Sequence, residues 1–457
     1  MNLLVKDKCF YKKMAVIAIP ISLQSMITIG VNMTDTVMVG KLGETSLSAT
    51  ALANQFVNIY QICCMGIAMG ASVLTSRFWG MQDITSLKKT ITLMLRLCIV
   101  LAVLFMLPTI LIPQLLMRMY TNDSAVIAQG VQYFKWMVYC YFLQGMTMTC
   151  TIVLRSVGQV NFPLFTSIGS FFVNILFNYM FIFGKLGVPR MEVEGAGVGT
   201  LIARVFEFSL ICGYFLFVDR KIGYRLKDLR MKCNSLIKDY VSISIPVFVS
   251  DSLLALGTSA VAMVMGRIGT GFVSANSITV VTQQLTTVVI QGICHASCIM
   301  TGHTLGHGER EKAQQQAWTF LILGLVVGIL GGGLIKVLSR SIIGLYNITP
   351  ETAQIAGELM DAIAFIVIFQ SMNSILTKGV LRGGGDTKFL MVADIIFLWA
   401  ASLPLGILAG LVWHLDAFWI YVFLKIDQIC KSIWCVFRLR SGKWIKTFSK
   451  EKMNHAQ

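Results

Sequence analysis

Leu154-Arg155-Ser156-Val157-Gly158 returns later in the chain as Leu381-Arg382-Gly383-Gly384-Gly385. Other positions return with it. Ile19-Pro20 recurs as Ile245-Pro246, Gly40-Lys41-Leu42-Gly43 as Gly266-Arg267-Ile268-Gly269, Gly80 as Gly306 and Tyr120 as Tyr346. The offset stays at 226 or 227 residues throughout. A period that long is no solenoid unit. The chain is one bundle written twice.

Both copies are apolar. Hydrophobic residues make up 56% of the sequence and charged residues 13%, with a mean hydropathy of +0.73. A soluble domain carries roughly 25% charged residues. Twelve apolar stretches, from 11–39 to 416–437, are long enough to span a bilayer, which takes about 20 residues. The first follows Lys6, Lys8, Lys12 and Lys13 and is too long for a signal peptide. Six spans per copy is an even number, so both copies enter the membrane from the same side. The expected fold is an all-α membrane protein of twelve transmembrane helices, in two six-helix lobes related by a parallel internal repeat. Its expected parts are an N-lobe (1–218), a basic cytoplasmic linker (219–238), a C-lobe (239–440) and a frayed cytoplasmic tail (441–457). Gly195-x-x-x-Gly199 and Gly324-x-x-x-Gly328 mark expected close helix approaches.

The net charge is +16, and its distribution identifies its cause. The termini and even-numbered loops hold 26 of the 38 Lys and Arg, while the odd-numbered loops hold only Lys41, Arg118, Lys185, Arg190, Arg267 and Arg340. This positive-inside pattern makes both termini cytoplasmic. The basic surplus is a topology signal beside anionic lipid, and no nucleic acid partner is expected. Twelve cysteines are scattered, mostly inside spans, and read as apolar packers without disulfides. His303 and His307 lack a third ligand and read as loop residues rather than a zinc site.

An ionisable group inside a span marks a functional site, because burying it costs at least about 2.5 kcal/mol. Asp35 in the first span is the clearest case, with Asn32 one turn back. Asn174 and Asn178 share a face of the fifth span, and Thr200 lies early in the sixth. One carboxylate among neutral oxygens suits Na⁺ or a carboxyl that is protonated in turn. No other metal is expected. Asn54, Asn58 and Gln61 form a polar stripe on the second span, and Gln284 belongs to one on the eighth. Tyr139 and Met146 of the fourth span join these as candidate cavity residues. Glu207, three residues after Arg204, has the spacing of an intrahelical ion pair. Asp251 and Asp394 are candidate secondary charged sites. No Walker P-loop, Ser-His-Asp or His-Glu-x-x-His arrangement occurs, so no enzyme activity and no cofactor are expected, and the energy for transport falls to an ion gradient or to downhill flux, unless a partner chain supplies it.

At this point the chain resembles the multidrug and toxic compound extrusion (MATE) family, within a larger group that includes lipid-linked sugar flippases. The resemblance rests on Pro20, Asp35-Thr-Val-Met-Val-Gly40-x-x-Gly43, Gly80, Leu154-Arg155-Ser-x-Gly158-x-x-x-x-Pro163, Asn174-x-x-x-Asn178, Gly195-Ala-Gly-Val-Gly-Thr200 and Leu381-Arg382-Gly-Gly-Gly-Asp386-Thr. It implies a cell-membrane antiporter, monomeric in the bilayer, that exports organic cations by rocking between inward- and outward-open states on a Na⁺ or H⁺ gradient. Asp35 falls on the family's coupling carboxylate, with Asn174, Asn178 and Thr200 completing the site. Many members have Asp where this chain has Asn178. One branch uses acids of the seventh and tenth helices, where this chain has Asp251 as an approximate match and Ser371. At the repeat offset Asp35 pairs with Val261 and Asp251 with Ser25. Coupling is therefore expected mainly in the N-lobe. The alternatives are a flippase, disfavoured by the lack of an Arg cluster inside the spans, and a membrane receptor or enzyme.

Overall fold

The computed structural model describes residues 4–344 and 348–447, apart from the side chains at 270, 281 and 285. Tyr346 of the repeat and the tail beyond 447 lie outside the described residues. Among them every regular element is a helix, as lipid demands, since a helix satisfies its own backbone polar groups.

The protein is an all-α membrane protein of twelve helices, six per repeat. The first six are Lys8–Gly40, Glu44–Gly80, Ile84–Leu111, Ser124–Ser156, Asn161–Phe183 and Glu192–Val218. The second six begin with Asn234–Ile268 and with Thr270–Gly306, which bends by 45° after Gln284. They continue as Arg310–Ile343, Pro350–Leu381 and Thr387–Val412. The twelfth is broken at Lys425 into Ala417–Leu424 and Ile426–Arg440. His303, expected in a loop, is a buried residue inside the eighth helix. It lies in the last turn of that helix, which runs to Gly306, so the turn begins only after it.

Several of the repeated glycines are turn residues. Gly158 and Gly385 sit at φ 80° and 85°, and Gly43 at φ 115°. These are left-handed conformations that a Cβ makes costly. The small-residue motifs bring helices into backbone contact. A Cβ at Gly195 would strike the Phe181 backbone, and one at Gly328 would lie 2.7 Å from Ile368 Cα.

The chain forms two compact units, 23–244 and 1–22 with 245–457. These boundaries differ from the lobes expected at 1–218 and 239–440. The exchange falls inside the first and seventh helices, beside Pro20 and Pro246, rather than in the linker. The cause is length. A 33-residue helix runs about 50 Å at 1.5 Å per residue, so its two ends meet different neighbours. Leu4 O accepts from Gln315 Nε2 at 3.1 Å, and Phe10 packs on Phe320. At the other exchange Tyr240 Oη donates to Ile67 O at 3.2 Å.

Each unit also carries a strap. In the first, the linker folds back on the third helix. Lys88 Nζ reaches Gly223 O at 2.6 Å and Asp228 at 2.9 Å, Thr92 meets Tyr224 Oη at 2.9 Å, and Arg96 donates to Leu229 O at 2.6 Å. Gln159 ties in Asp219 at 2.8 Å. In the second unit the start of the tail does the same. Trp444 is fully buried against Gly384, donates from Nε1 to Gln314 at 2.7 Å, and Lys446 pairs with Asp386 at 3.3 Å. The frayed tail expected from its basic composition is thus corrected at 444–446, where one indole outweighs the charges.

Trp444→Ala removes a fully buried indole and is expected to cost about 3–5 kcal/mol, read as a fall in the thermal midpoint of the detergent-purified protein. An unchanged midpoint contradicts this packing. The linker anchor carries a pH expectation. Burial works to raise the Asp228 carboxyl, but the Lys88 ammonium and the Arg225 amide and guanidinium outweigh it and hold the group below its ordinary value. A depressed carboxyl contributes stability above its unfolded pKa and loses it as pH falls through the folded one. Limited proteolysis of the linker is therefore expected to stay constant from neutral to mildly acid pH. Acceleration in that range contradicts the Lys88–Asp228 pair.

Candidate cation and substrate site

The first unit encloses a cavity of about 390 Å³. Its wall combines polar faces of five helices. The first gives Asn32, Asp35 and Thr36, the second Asn54, Gln55, Asn58 and Gln61, and the fourth Tyr133, Met137 and Gln144. Ser167, Ser170 and Asn174 come from the fifth, and Thr200, Arg204 and Glu207 from the sixth. Such groups face a cavity because in lipid an unpaired polar group costs several kcal/mol.

Asp35 is half-buried and accepts from Asn178 Nδ2 at 2.6 Å. The same nitrogen donates to Asn174 Oδ1 at 3.3 Å. Asn178 is fully buried behind the cavity wall, and its Oδ1 has no partner in the described structure. Gly199 makes this possible, since a Cβ there would collide with Asn178 Oδ1. Among the described residues no basic side chain lies within ion-pair distance of Asp35. The other acid of the wall, Glu207, is paired with Arg204 at 2.8 Å, the i,i+3 bridge its spacing suggested. The wall therefore carries one acid with no base in contact, and the Arg204 guanidinium, held by Glu207, acts on it only through space. Its other polar anchor is Tyr133 Oη, which donates to Asn54 Oδ1 at 3.2 Å.

Asp35, Asn174, Thr200, Asn32, Asn54, Asn58 and Gln61 all line this cavity, and Asn178 stands directly behind it. Tyr139 and Met146 do not. Tyr139 is 55% exposed. It lies two residues from Met137, roughly 200° around the helix, so the face that brings Met137 in turns Tyr139 out. Gln284 belongs to the second unit and is exposed beside the bend of the eighth helix. Asp251 and Asp394 are ion-paired in the second unit, with Arg382 and Lys431. Ser167, Ser170, Gln144, Tyr133 and the Arg204–Glu207 pair were missed as cavity residues. Ser167, Ser170, Asn174 and Asn178 form one stripe at helical spacing, which extending the Asn174/Asn178 pattern backwards would have found. Among the described residues no cluster of three metal-ligating side chains occurs.

The family model for MatE matches residues 20–180 and again 246–429. The chain belongs to this family. The two matched segments begin at the repeated Pro20 and Pro246, so the family domain is present twice. This MatE protein is 24% identical over 419 residues to the uncharacterized transporter YisQ of Bacillus subtilis, covering 90% of each chain. It is 23% identical over 441 residues to the probable multidrug resistance protein NorM of Thermotoga maritima, covering 95% of this chain and 93% of that one. Among solved structures, a variant of the Vibrio cholerae MATE transporter VcmN superposes with a TM-score of 0.86 at 16% identity, over 95% of this chain and 97% of that one. A MOP superfamily transporter from Pyrococcus furiosus, described as having a binding pocket of reverse polarity, superposes at 0.83 and 19% identity over 95% and 97%. These structures share the fold.

The support beneath Asp35 is testable. A hydrogen bond to a charged group contributes about 1.5–3 kcal/mol, a tenfold effect or more. Asn178→Leu removes that bond and Gly199→Ala pushes the amide aside. Both are expected to lower initial efflux rates at least tenfold with the purified protein still monodisperse. Wild-type rates in Gly199→Ala contradict the close approach.

Proposed function

We propose that this MatE transporter is a cation-coupled antiporter of the cell membrane, with both termini cytoplasmic, that exports organic cations by alternating access of its two lobes. The observation that supports it is Asp35, an acid on the cavity wall held by an amide rather than by a base. A carboxylate so placed attracts a cation, because its charge is only partly satisfied by one hydrogen bond. Asp35, Asn174 Oδ1 and Thr200 Oγ1 supply oxygens of the kind a hard monovalent ion takes, and the carboxyl can equally exchange a proton.

Exchange follows if the coupling ion and the organic cation compete for this negative wall, each favouring a different state of the carrier. The organic cation enters from the cytoplasm. Na⁺ or H⁺ arriving from outside occupies Asp35 and favours the state that has released it. The amide-rich wall offers hydrogen bonds in many directions, which suits solutes of varied shape. The protein acts as a monomer in lipid, without cofactor or nucleic acid. A lipid-linked sugar flippase would need a basic cavity for its anionic substrate, and among the described residues the only base on this wall, Arg204, is held by Glu207.

Efflux of a fluorescent organic cation from proteoliposomes, under an imposed Na⁺ gradient and then a pH gradient, is the test. One gradient is expected to drive wild-type efflux, and Asp35→Asn to abolish it in protein that still purifies as a folded monomer. Gradient-driven efflux persisting in Asp35→Asn would sink the assignment.

A further inference from the structure

The deep acids of the second unit are treated differently from Asp35. Asp251 on the seventh helix meets Arg382 through two contacts, Nη2–Oδ1 at 3.0 Å and Nη1–Oδ2 at 3.4 Å. Asp394 of the eleventh helix and Asp427 of the twelfth share one base. Lys431 Nζ stands 3.0 Å from Asp394 Oδ1 and 3.0 Å from Asp427 Oδ2, and its side chain is 2% exposed. Ser250 Oγ donates to Asp394 Oδ2, and Gln428 Nε2 donates to Asp427 Oδ2 at 2.7 Å. Ser402 Oγ lies 3.4 Å from Asp427 Oδ1 and donates to the Leu424 carbonyl at 2.6 Å.

Around the Lys431 nitrogen there are thus two carboxylates from different helices. Beside them are the hydroxyls of Ser250 and Ser402 and a backbone carbonyl at the break in the twelfth helix. Broken helices supply carbonyl ligands to alkali ions in other transporters, and hard cations take such oxygen shells. The occupant here is a tethered ammonium, a compact point charge with three donors. The arrangement is a cation site whose cation is part of the chain.

We propose that Lys431 is a built-in cation. Its ammonium fills the Asp394–Asp427 site permanently, so the second unit exchanges no alkali ion there. Deleting the ammonium turns the same oxygens into a site for a monovalent alkali cation. Arg382 acts on Asp394 and Lys425 on Asp427 only through space, outside ion-pair distance, so two buried carboxylates left together without a base in contact repel and are poorly solvated, which drives a free ion into the gap. The inference concerns a site separate from Asp35 and stands whichever ion Asp35 couples.

The test is thermal unfolding of the full-length protein in detergent, titrating NaCl against N-methylglucamine chloride at constant ionic strength. Asp35→Asn provides the background, silencing the first unit. With Lys431 present, no Na⁺-dependent change of midpoint is expected. With Lys431→Ala added, the midpoint is expected to start lower, climb with Na⁺ and saturate, as a ligand that binds only the folded state requires. Lys431→Arg in the same background is expected to remain insensitive. Lys431→Gln, which keeps the length and a donor, takes the place of alanine if that variant does not purify. A Na⁺ response in Asp35→Asn with Lys431 in place overturns the proposal. So does a folded Lys431→Ala or Lys431→Gln protein without one.

Discussion

A carboxylate taken out of water needs hydrogen-bond donors or a counter-charge, and the architecture of this protein turns on how that demand is met. The second unit meets it with bases. Arg382 serves Asp251, Lys431 serves Asp394 and Asp427 together, and Arg438 and Lys446 serve Asp386. The first unit meets it at Asp35 with an amide alone. Two copies of one ancestral bundle therefore present opposite electrostatics. One is charge-balanced by its own side chains, and the other keeps a carboxylate outside ion-pair distance of any described base.

That difference rests on close packing. Asn178 reaches Asp35 because Gly199 leaves it room, and the fifth and sixth helices approach because Gly195 has no side chain to hold them apart. In lipid no hydrophobic force draws helices together, so van der Waals contact and interhelical hydrogen bonds carry the assembly. The two straps play equivalent parts in their units. Gln159 with Asp219 and Asp386 with Lys446 stand at the same offset of 227 residues, one pair in each unit. The duplication thus extends from the membrane helices into segments whose composition alone suggests nothing but basic loops.

Local patterns were legible where the physics is local. The i,i+4 spacing of Asn174 and Asn178 placed them on one face, and the i,i+3 spacing of Arg204 and Glu207 gave an ion pair. Asp427 and Lys431 also stand at i,i+4. Asp394 as the third member was not readable, because nothing in the spacing of 394 and 431 says that the eleventh and twelfth helices touch there. Tyr139 failed for a related reason. Aromatic content suggested a ligand surface, whereas orientation about the helix axis depends on which neighbours the helix packs against. The tail at Trp444 failed because composition averages over residues, and a single buried ring decided its placement.

The sequence by itself determined the membrane class, the twelve helices, the duplication and the family, since each follows from composition, periodicity and spacing along one chain. Tertiary structure decided where the compact units divide, which polar faces close around one cavity, and which acids keep a counter-charge. The reason is distance. Helical periodicity fixes neighbours three or four residues apart, while Asn178 and Asp35, or Lys431 and Asp394, become neighbours only when separate helices pack.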